Sequence, residues 1–332
     1  MAVKVGIPSA LLYYTYYPLW QAFFNEIGVQ VVTSGRTTKN ILDKGVREAL
    51  ADACVPIKLF FGHVMEIKDK VDCLFIPRVV CLNGKTVYCP KFLGLPDMIR
   101  HSLTNVPPII DVRMDTRQGR LSLIKAYLEI GAYFGASRNS ILLAYFKAKR
   151  VLRHYNALLR RGFNPAEAIA FINNPKNIEL TPPPKSNLRF AVLGYPYAIY
   201  DSFISVNLLG KLRRLGVSVL TADGISPVLL ALQRNCDLPK RLFWTFSDKA
   251  LKAAHFLFKQ GRIDGVLHLT AFGCGPDSLT NKLIELESKK HREIPFMTLM
   301  IDEHTGEAGM ATRLEAFVDM VRRRKEAYIC RS

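Results

Sequence analysis

The chain repeats its own opening. Residues 3–9, VKVGIPS, form a short apolar segment ending in Gly and Pro. An aromatic-rich helical stretch from Leu11 to Glu26 follows, then Gly28 and the strand-like VQVVTS. Residues 189–196, RFAVLGYP, start the second half the same way and lead through a helical stretch ending at Arg214 to Gly216 and VSVLTA. At a constant offset of 188, Gly6, Pro8, Ala10, Gly28, Val29, Val31 and Thr33 fall on Gly194, Pro196, Ala198, Gly216, Val217, Val219 and Thr221. Seven gapless identities in about 31 positions, placed at strand ends and turns, read as an internal duplication of a β-α-β unit.

The pattern continues along both halves. VDCLFIP (71–77) and IDGVLHL (263–269) each read as a buried parallel strand entered through Asp, and IPFMTLMI (294–301) supplies another. Strands alternating with helices imply open parallel sheets with right-handed crossovers. Ligands in such sheets sit beyond the carboxyl ends of the strands. Between the halves, 121–134 and 138–161 are helical in period and broken near Gly135, with Ser137 as N-cap. Asn164 followed by Pro165 opens a short helix to about Phe171. The run Thr181-Pro-Pro-Pro-Lys reads as a stiff linker. A closing helix from about Ala311 to Lys325 carries Leu314, Phe317, Val318 and Val321 as one apolar stripe. The expected fold is α/β: two Rossmann-like parallel-sheet lobes related by duplication, 1–120 and 187–332, with a helical region at 121–180 between them.

Composition sets outer limits. A length of 332 residues favours two domains, and 49 % hydrophobic with 22 % charged residues excludes disorder and disulfide-stapled miniature scaffolds. No run approaches 18 uninterrupted apolar residues, so no membrane span is expected. The N-terminal segment runs directly into a strand-like stretch, leaving no signal peptide, so a cytoplasmic location is expected. Lys and Arg number 46 against 28 Asp and Glu, a net charge of +18 that favours an anionic partner. The excess gathers at Lys147, Lys149, Arg150, Arg153, Arg160 and Arg161 and again at Arg322 to Lys325, as solvated helical faces or a protein-docking surface. No zinc-finger, RNA-reading or basic-heptad pattern accompanies it, so nucleic acid is not the expected partner.

Seven cysteines stand at 54, 73, 81, 89, 236, 274 and 330. The odd count argues against a disulfide framework. Cys54 lies in DACVPIK at the start of a helix, where exposed N–H groups favour a thiolate. Cys89 (VYCPK) and Cys274 (AFGCGPDS) follow equivalent strands of the two halves, at the ligand-binding edge. Three thiolates meeting across a cleft suit an iron–sulfur cluster with one special iron, or zinc with a fourth ligand; buried free thiols are the plain alternative. Cys73 belongs inside a strand, Cys236 in a loop and Cys330 in the tail. Cys81 shares the excursion that carries Cys89.

The segments GIPSALLYYTYYPLW, DACVPIKLFFGHV, VDCLFIPRVV, YCPKFLGLPDMIR, FGCGPDS and IDEHTGEAGMATRLEAFVDM together resemble acyl-CoA dehydratase activase-related, or CoA-activase-associated, proteins. These are similar to the 2-hydroxyacyl-CoA dehydratase and benzoyl-CoA reductase subunit superfamily. The resemblance spans essentially the whole chain. It implies a [4Fe–4S] cluster on Cys54, Cys89 and Cys274 between two lobes, or a double-cubane [8Fe–9S] cluster shared across a dimer. It also implies an ATP-hydrolysing activator of the acetate/sugar-kinase fold, ferredoxin or flavodoxin upstream, and pairing with a second copy or a related chain. Cys81 stands outside the implied ligand set. The Gly-rich nucleotide loops of an activator are absent from the chain, so an activator would act in trans.

The function expected on this basis is an iron–sulfur reductase component or electron carrier fed by the activator. The alternatives are a catalytic subunit of an acyl-CoA dehydratase or reductase, and a non-catalytic zinc-binding or assembly protein. Lys58, Arg78 and Lys91 are candidates to offset thiolate charge. His304 and Glu303, in the loop Asp302 to Glu307 after the last proposed strand, are weak candidates for proton transfer. His63 is expected in the core or behind the site.

Overall fold

The computed structural model describes residues 2–119, 121–178, 186–233 and 242–329. The linker expected at 181–185, Cys236 and Cys330 lie outside the described residues. The chain forms two compact units, Met1–Ala157 with Leu242–Thr245, and Leu158–Arg241 with Phe246–Ser332.

The first unit runs β1 (Lys4–Ile7), α1 (Tyr13–Glu26), β2 (Gln30–Thr33), α2 (Lys39–Glu48), α3 (Val55–Ile67), β3 (Cys73–Phe75) and β4 (Arg78–Cys81). It continues through α4 (Pro90–Ser102), β5 (Ile109–Ile110), β6 (Arg113–Asp115), α5 (Ser122–Tyr133) and α6 (Arg138–Arg160). Four strands make a parallel sheet in the order β2-β1-β3-β5, and β4 pairs with β6 in a separate parallel ribbon. Gly135 turns the chain between α5 and α6 at φ +71, and the Ser137 hydroxyl accepts from the Ser140 N–H, as expected.

In the second unit α7 (Pro165–Asn173) starts from a capping box in which Asn164 and Glu167 bond each other's backbone. Then come β7 (Leu188–Gly194), α8 (Pro196–Tyr200), α9 (Leu208–Arg214), β8 (Val217–Thr221), α10 (Pro227–Leu232) and α11 (Thr245–Gln260). β9 (Gly265–Ala271), α12 (Gly275–Ser288), β10 (Phe296–Ile301) and α13 (Glu307–Ile329) complete it. The sheet order is β8-β7-β9-β10, all parallel. All seven residues of β9 are buried, which is why that segment is mostly apolar, with His268 and Thr270 as its buried polar residues.

With β1, β2, β3 and β5 matched to β7, β8, β9 and β10, the two sheets have one strand order. Gly6 lies opposite Leu74 of β3 and Gly194 opposite Leu269 of β9. A methyl group on Gly6 would stand 2.9 Å from the Leu74 side chain, and one on Gly194 only 2.4 Å from the Leu269 carbonyl oxygen. The repeated glycine therefore marks the same tight crossing in each half. Two parallel-sheet α/β units with flanking helices are what the duplication required.

Two helices depart from their expected limits. The stretch after Pro196 is two helices, because the Asp201 carboxylate accepts from the N–H groups of Phe203 and Ile204 and diverts the chain. Val206 and Asn207 then take left-handed backbone at φ 52 and 51 before α9 starts. The closing helix begins at Glu307, earlier than the apolar stripe indicates, with Leu314, Phe317, Val318 and Val321 all buried. Among the described residues no helix is long and apolar enough to cross a membrane.

Candidate functional site

In the first unit the carboxyl ends of β1 and β3 open onto a small, partly open apolar hollow, lined by Ile7, Leu11, Trp20, Phe60, Phe75 and Phe92 among others. Trp20 meets Phe75 edge-on at 5.3 Å. Leu11 is held at φ 54, a conformation an L residue with a branched side chain rarely adopts, so the loop leaving β1 is strained where it borders the hollow. Phe60 comes from α3 and Phe92 from α4.

Those two helices begin at the predicted cysteines. Cys54 is the N-cap of α3 and Cys89 the N-cap of α4, and Cys274 is the N-cap of α12 in the second unit. In each case Pro occupies the first or second helical position, where its missing N–H costs nothing. Cys54 and Cys89 are half-buried and close enough to interact electrostatically, whereas Cys274 is buried. Neighbouring segments pin α3 and α4. Gly45 of α2 meets Gly62 of α3 so closely that a methyl on either would fall 1.9 Å from the opposing backbone oxygen. Before α4, Val87 pairs with Trp244, drawing residues 242–245 into the first unit. Tyr88, the residue before Cys89, shares a hydroxyl contact of 2.7 Å with Tyr16.

The electrostatics correct one expectation. Burial pushes the Cys54 thiol up, and Lys91 and the helix N–H of Ile57 pull it down by less. The N-terminal position is thus outweighed by desolvation, and the protonated thiol is favoured. Arg78 does not serve the thiols: it forms a fork with Asp97 at 2.5 and 2.6 Å and bonds Asp111 at 2.9 Å. Lys58 is buried within α3. Cys73 is core, as expected, and Cys81 is fully buried, with the Thr116 hydroxyl 3.5 Å from its sulfur.

His63 is a fully buried imidazole on α3. Its Nδ1 lies 2.8 Å from the Ser34 hydroxyl and its Nε2 2.9 Å from the Thr37 hydroxyl. Ser34 follows β2, and its oxygen also accepts the Ser9 N–H at 2.9 Å. Nothing in the local sequence announces this chain, since its members lie 25 and 29 residues apart.

Beneath the Cys274 turn, His268 of β9 and Asp277 of α12 face each other at 3.4 Å, both essentially unexposed. His268 Nδ1 meets the Asn281 side chain at 2.7 Å, and Asn281 also meets the Thr298 hydroxyl at 2.8 Å. The Tyr195 phenol, 2.6 Å from the Ser247 hydroxyl, is raised by burial first and then by Asp277. Sequence reading missed this group because strand period marks His268 only as core. In the loop after β10, Asp302 Oδ1 accepts from the His304 N–H and the Thr305 hydroxyl, both at 2.9 Å, so the loop is a closed turn. His304 is exposed, Glu303 half-buried, and Glu307 pairs with Lys211.

The metal expectations are overturned. Among the described residues no three side chains of His, Cys, Asp or Glu are grouped so as to hold a metal ion. Cys54 and Cys89 are a two-thiol pair, Cys274 caps a helix of the other unit, and two donors do not hold an iron–sulfur cluster or structural zinc. The [4Fe–4S] and double-cubane clusters, the zinc alternative, and the electron-carrying and reductase roles built on them are therefore not supported.

Comparison with known proteins agrees with the resemblance seen in the motifs. Residues 219–321 match the family described as 2-hydroxyglutaryl-CoA dehydratase, D-component. No curated protein matches the chain. Residues 4–225, two-thirds of the sequence, match the family described as CoA enzyme activase uncharacterised domain (DUF2229), and the chain belongs to that family, joined to a dehydratase D-component-like segment.

Proposed function

We propose that the chain is a dehydratase-type subunit that binds an acyl-CoA thioester in the first of two Rossmann-like lobes. The observation that carries this reading is the apolar hollow at the carboxyl edge of the first sheet, walled by helices that begin at Cys54 and Cys89. Parallel α/β sheets take their ligands at that edge. Both matched families are named for CoA chemistry, which selects an acyl thioester among apolar ligands. The acyl tail enters between Trp20, Phe60 and Phe92, with Cys54 and Cys89 at the helix starts, the Cys54 thiol kept neutral by burial. Lys91 and the first-turn N–H groups of α3 and α4 face the negatively charged CoA portion of the ligand. An ATP-hydrolysing activator of the acetate/sugar-kinase fold and a second or related subunit are the partners this reading carries.

Burying a methylene is worth about 0.8 kcal/mol, so each added carbon should tighten binding about fourfold until the hollow is full. Titration calorimetry with CoA, acetyl-, butyryl- and hexanoyl-CoA measures this series. Equal affinity for CoA and every acyl-CoA would sink the reading.

A further inference from the structure

We propose that Ser34 is an acyl-accepting nucleophile with His63 as its base, giving the first lobe a thioester-cleaving activity; the choice of substrate rests on the acyl-CoA reading above. A serine nucleophile needs a base within about 2.6–3.2 Å and a third group that orients the base. Ser34 Oγ lies 2.8 Å from His63 Nδ1, and Thr37 Oγ1 lies 2.9 Å from Nε2. The Ser34 oxygen already accepts the Ser9 N–H, so its own proton is the one directed to Nδ1, and Nε2–H then donates to Thr37. Burial keeps the imidazole in its free-base form near neutral pH.

Placement supports the same role. Ser9 and Ser34 follow the ends of β1 and β2, the edge where ligands of a parallel sheet sit. His63 lies one turn along α3 from Phe60, which lines the acyl hollow. Gly35, at φ +74, follows the nucleophile, the position whose backbone N–H serves a developing oxyanion in serine acyl transfer. The N-terminus of α2 lies just beyond, bringing the positive end of a helix dipole.

The chemistry needs only water as co-reactant. Ser34 Oγ attacks the thioester carbonyl while its proton passes to Nδ1, and the C–S bond breaks. The departing thiolate takes that proton, leaving acyl-Ser34 and free CoA. Water then attacks the ester, His63 accepts and returns its proton, and a carboxylic acid leaves Ser34 restored.

The test uses the full chain with butyryl-CoA, CoA release being followed by chromatography. A fluorophosphonate probe is applied in parallel, with peptide mass spectrometry. The expected result is a fluorophosphonate adduct on Ser34 and a fall of at least 100-fold in CoA release for Ser34→Ala. An unlabelled Ser34, or a folded Ser34→Ala protein releasing CoA at the wild-type rate, overturns the proposal. If Ser34→Ala does not fold, labelling of the wild-type chain decides. Chain-length-dependent binding without release or labelling removes the nucleophile and leaves the binding reading intact. Labelled Ser34 with Ser34-dependent cleavage of p-nitrophenyl butyrate, but no acyl-CoA binding, retains the nucleophile and removes CoA thioesters as substrates.

Discussion

His63 is unexposed, and desolvation lowers its pKa from 6.5 to about 4. The unfolded chain therefore binds more protons than the folded one between those values. Stability from the neutral imidazole is complete above about pH 6.5 and is lost as pH falls toward 4. The full difference corresponds to about 3 kcal/mol. Glu66, on the same helix, acts on His63 in the opposite sense and is itself held down at about 2 by Lys70 and Lys44, so its contribution is lost only at more acid pH. Urea midpoints measured from pH 7 to 4 should fall for the wild-type chain and flatten for His63→Gln. Identical slopes in the two proteins would show that His63 is not the titrating group. Cys54 teaches the same lesson: its place at a helix start was legible, but the burial that overrides the helix dipole was not. Spacing along a chain reports which turn a thiol occupies, while desolvation depends on everything packed around it.

Helix ends were the most readable elements, because capping is local chemistry. Asn164, Pro165 and Ser137 perform the roles their positions indicated. Where a side chain competes with the helix, as Asp201 does, period alone runs on past the break. The contact of α2 with α3 was also unreadable, since a glycine inside a helical pattern ordinarily signals only lost propensity. Gly45 and Gly62 instead allow two backbones to touch, and α3 carries Cys54, Phe60 and His63 on the result. Gly62→Ala places a methyl 1.9 Å from the Ile41 carbonyl oxygen, forcing the helices apart at a cost of about 3 kcal/mol. The expected outcome is a lower urea midpoint together with weaker acyl-CoA binding. Gly94→Ala, in α4 where a methyl meets open space, serves as the control: it should raise the urea midpoint slightly through added helix propensity and leave acyl-CoA binding unchanged. An equal loss in both variants would remove the close-contact argument, since Ala in place of helical Gly only adds helix propensity.

The repeat carried the parallel pairing of β1 with β2 and of β7 with β8, since a duplicated β-α-β unit keeps its topology, but not the places of the other strands. The site did not follow in the same way. Cysteines after equivalent strands in two halves belong to two separate units, and whether three donors converge is a property of packing that no spacing encodes. Whole-molecule charge was plain from the start and separates the parts of the proposed ligand. A net charge of +18 attracts the phosphates of CoA through long-range fields that salt screens over about 10 Å at 0.1 M. The acyl tail in its apolar hollow does not sense that screening. Affinity for CoA and for butyryl-CoA should therefore decline in parallel as salt rises from 50 to 300 mM. The ratio between them should hold constant, because it reports only apolar burial. If the ratio instead collapses with salt, the tail is not in the hollow and the acyl group adds affinity through the charged surface.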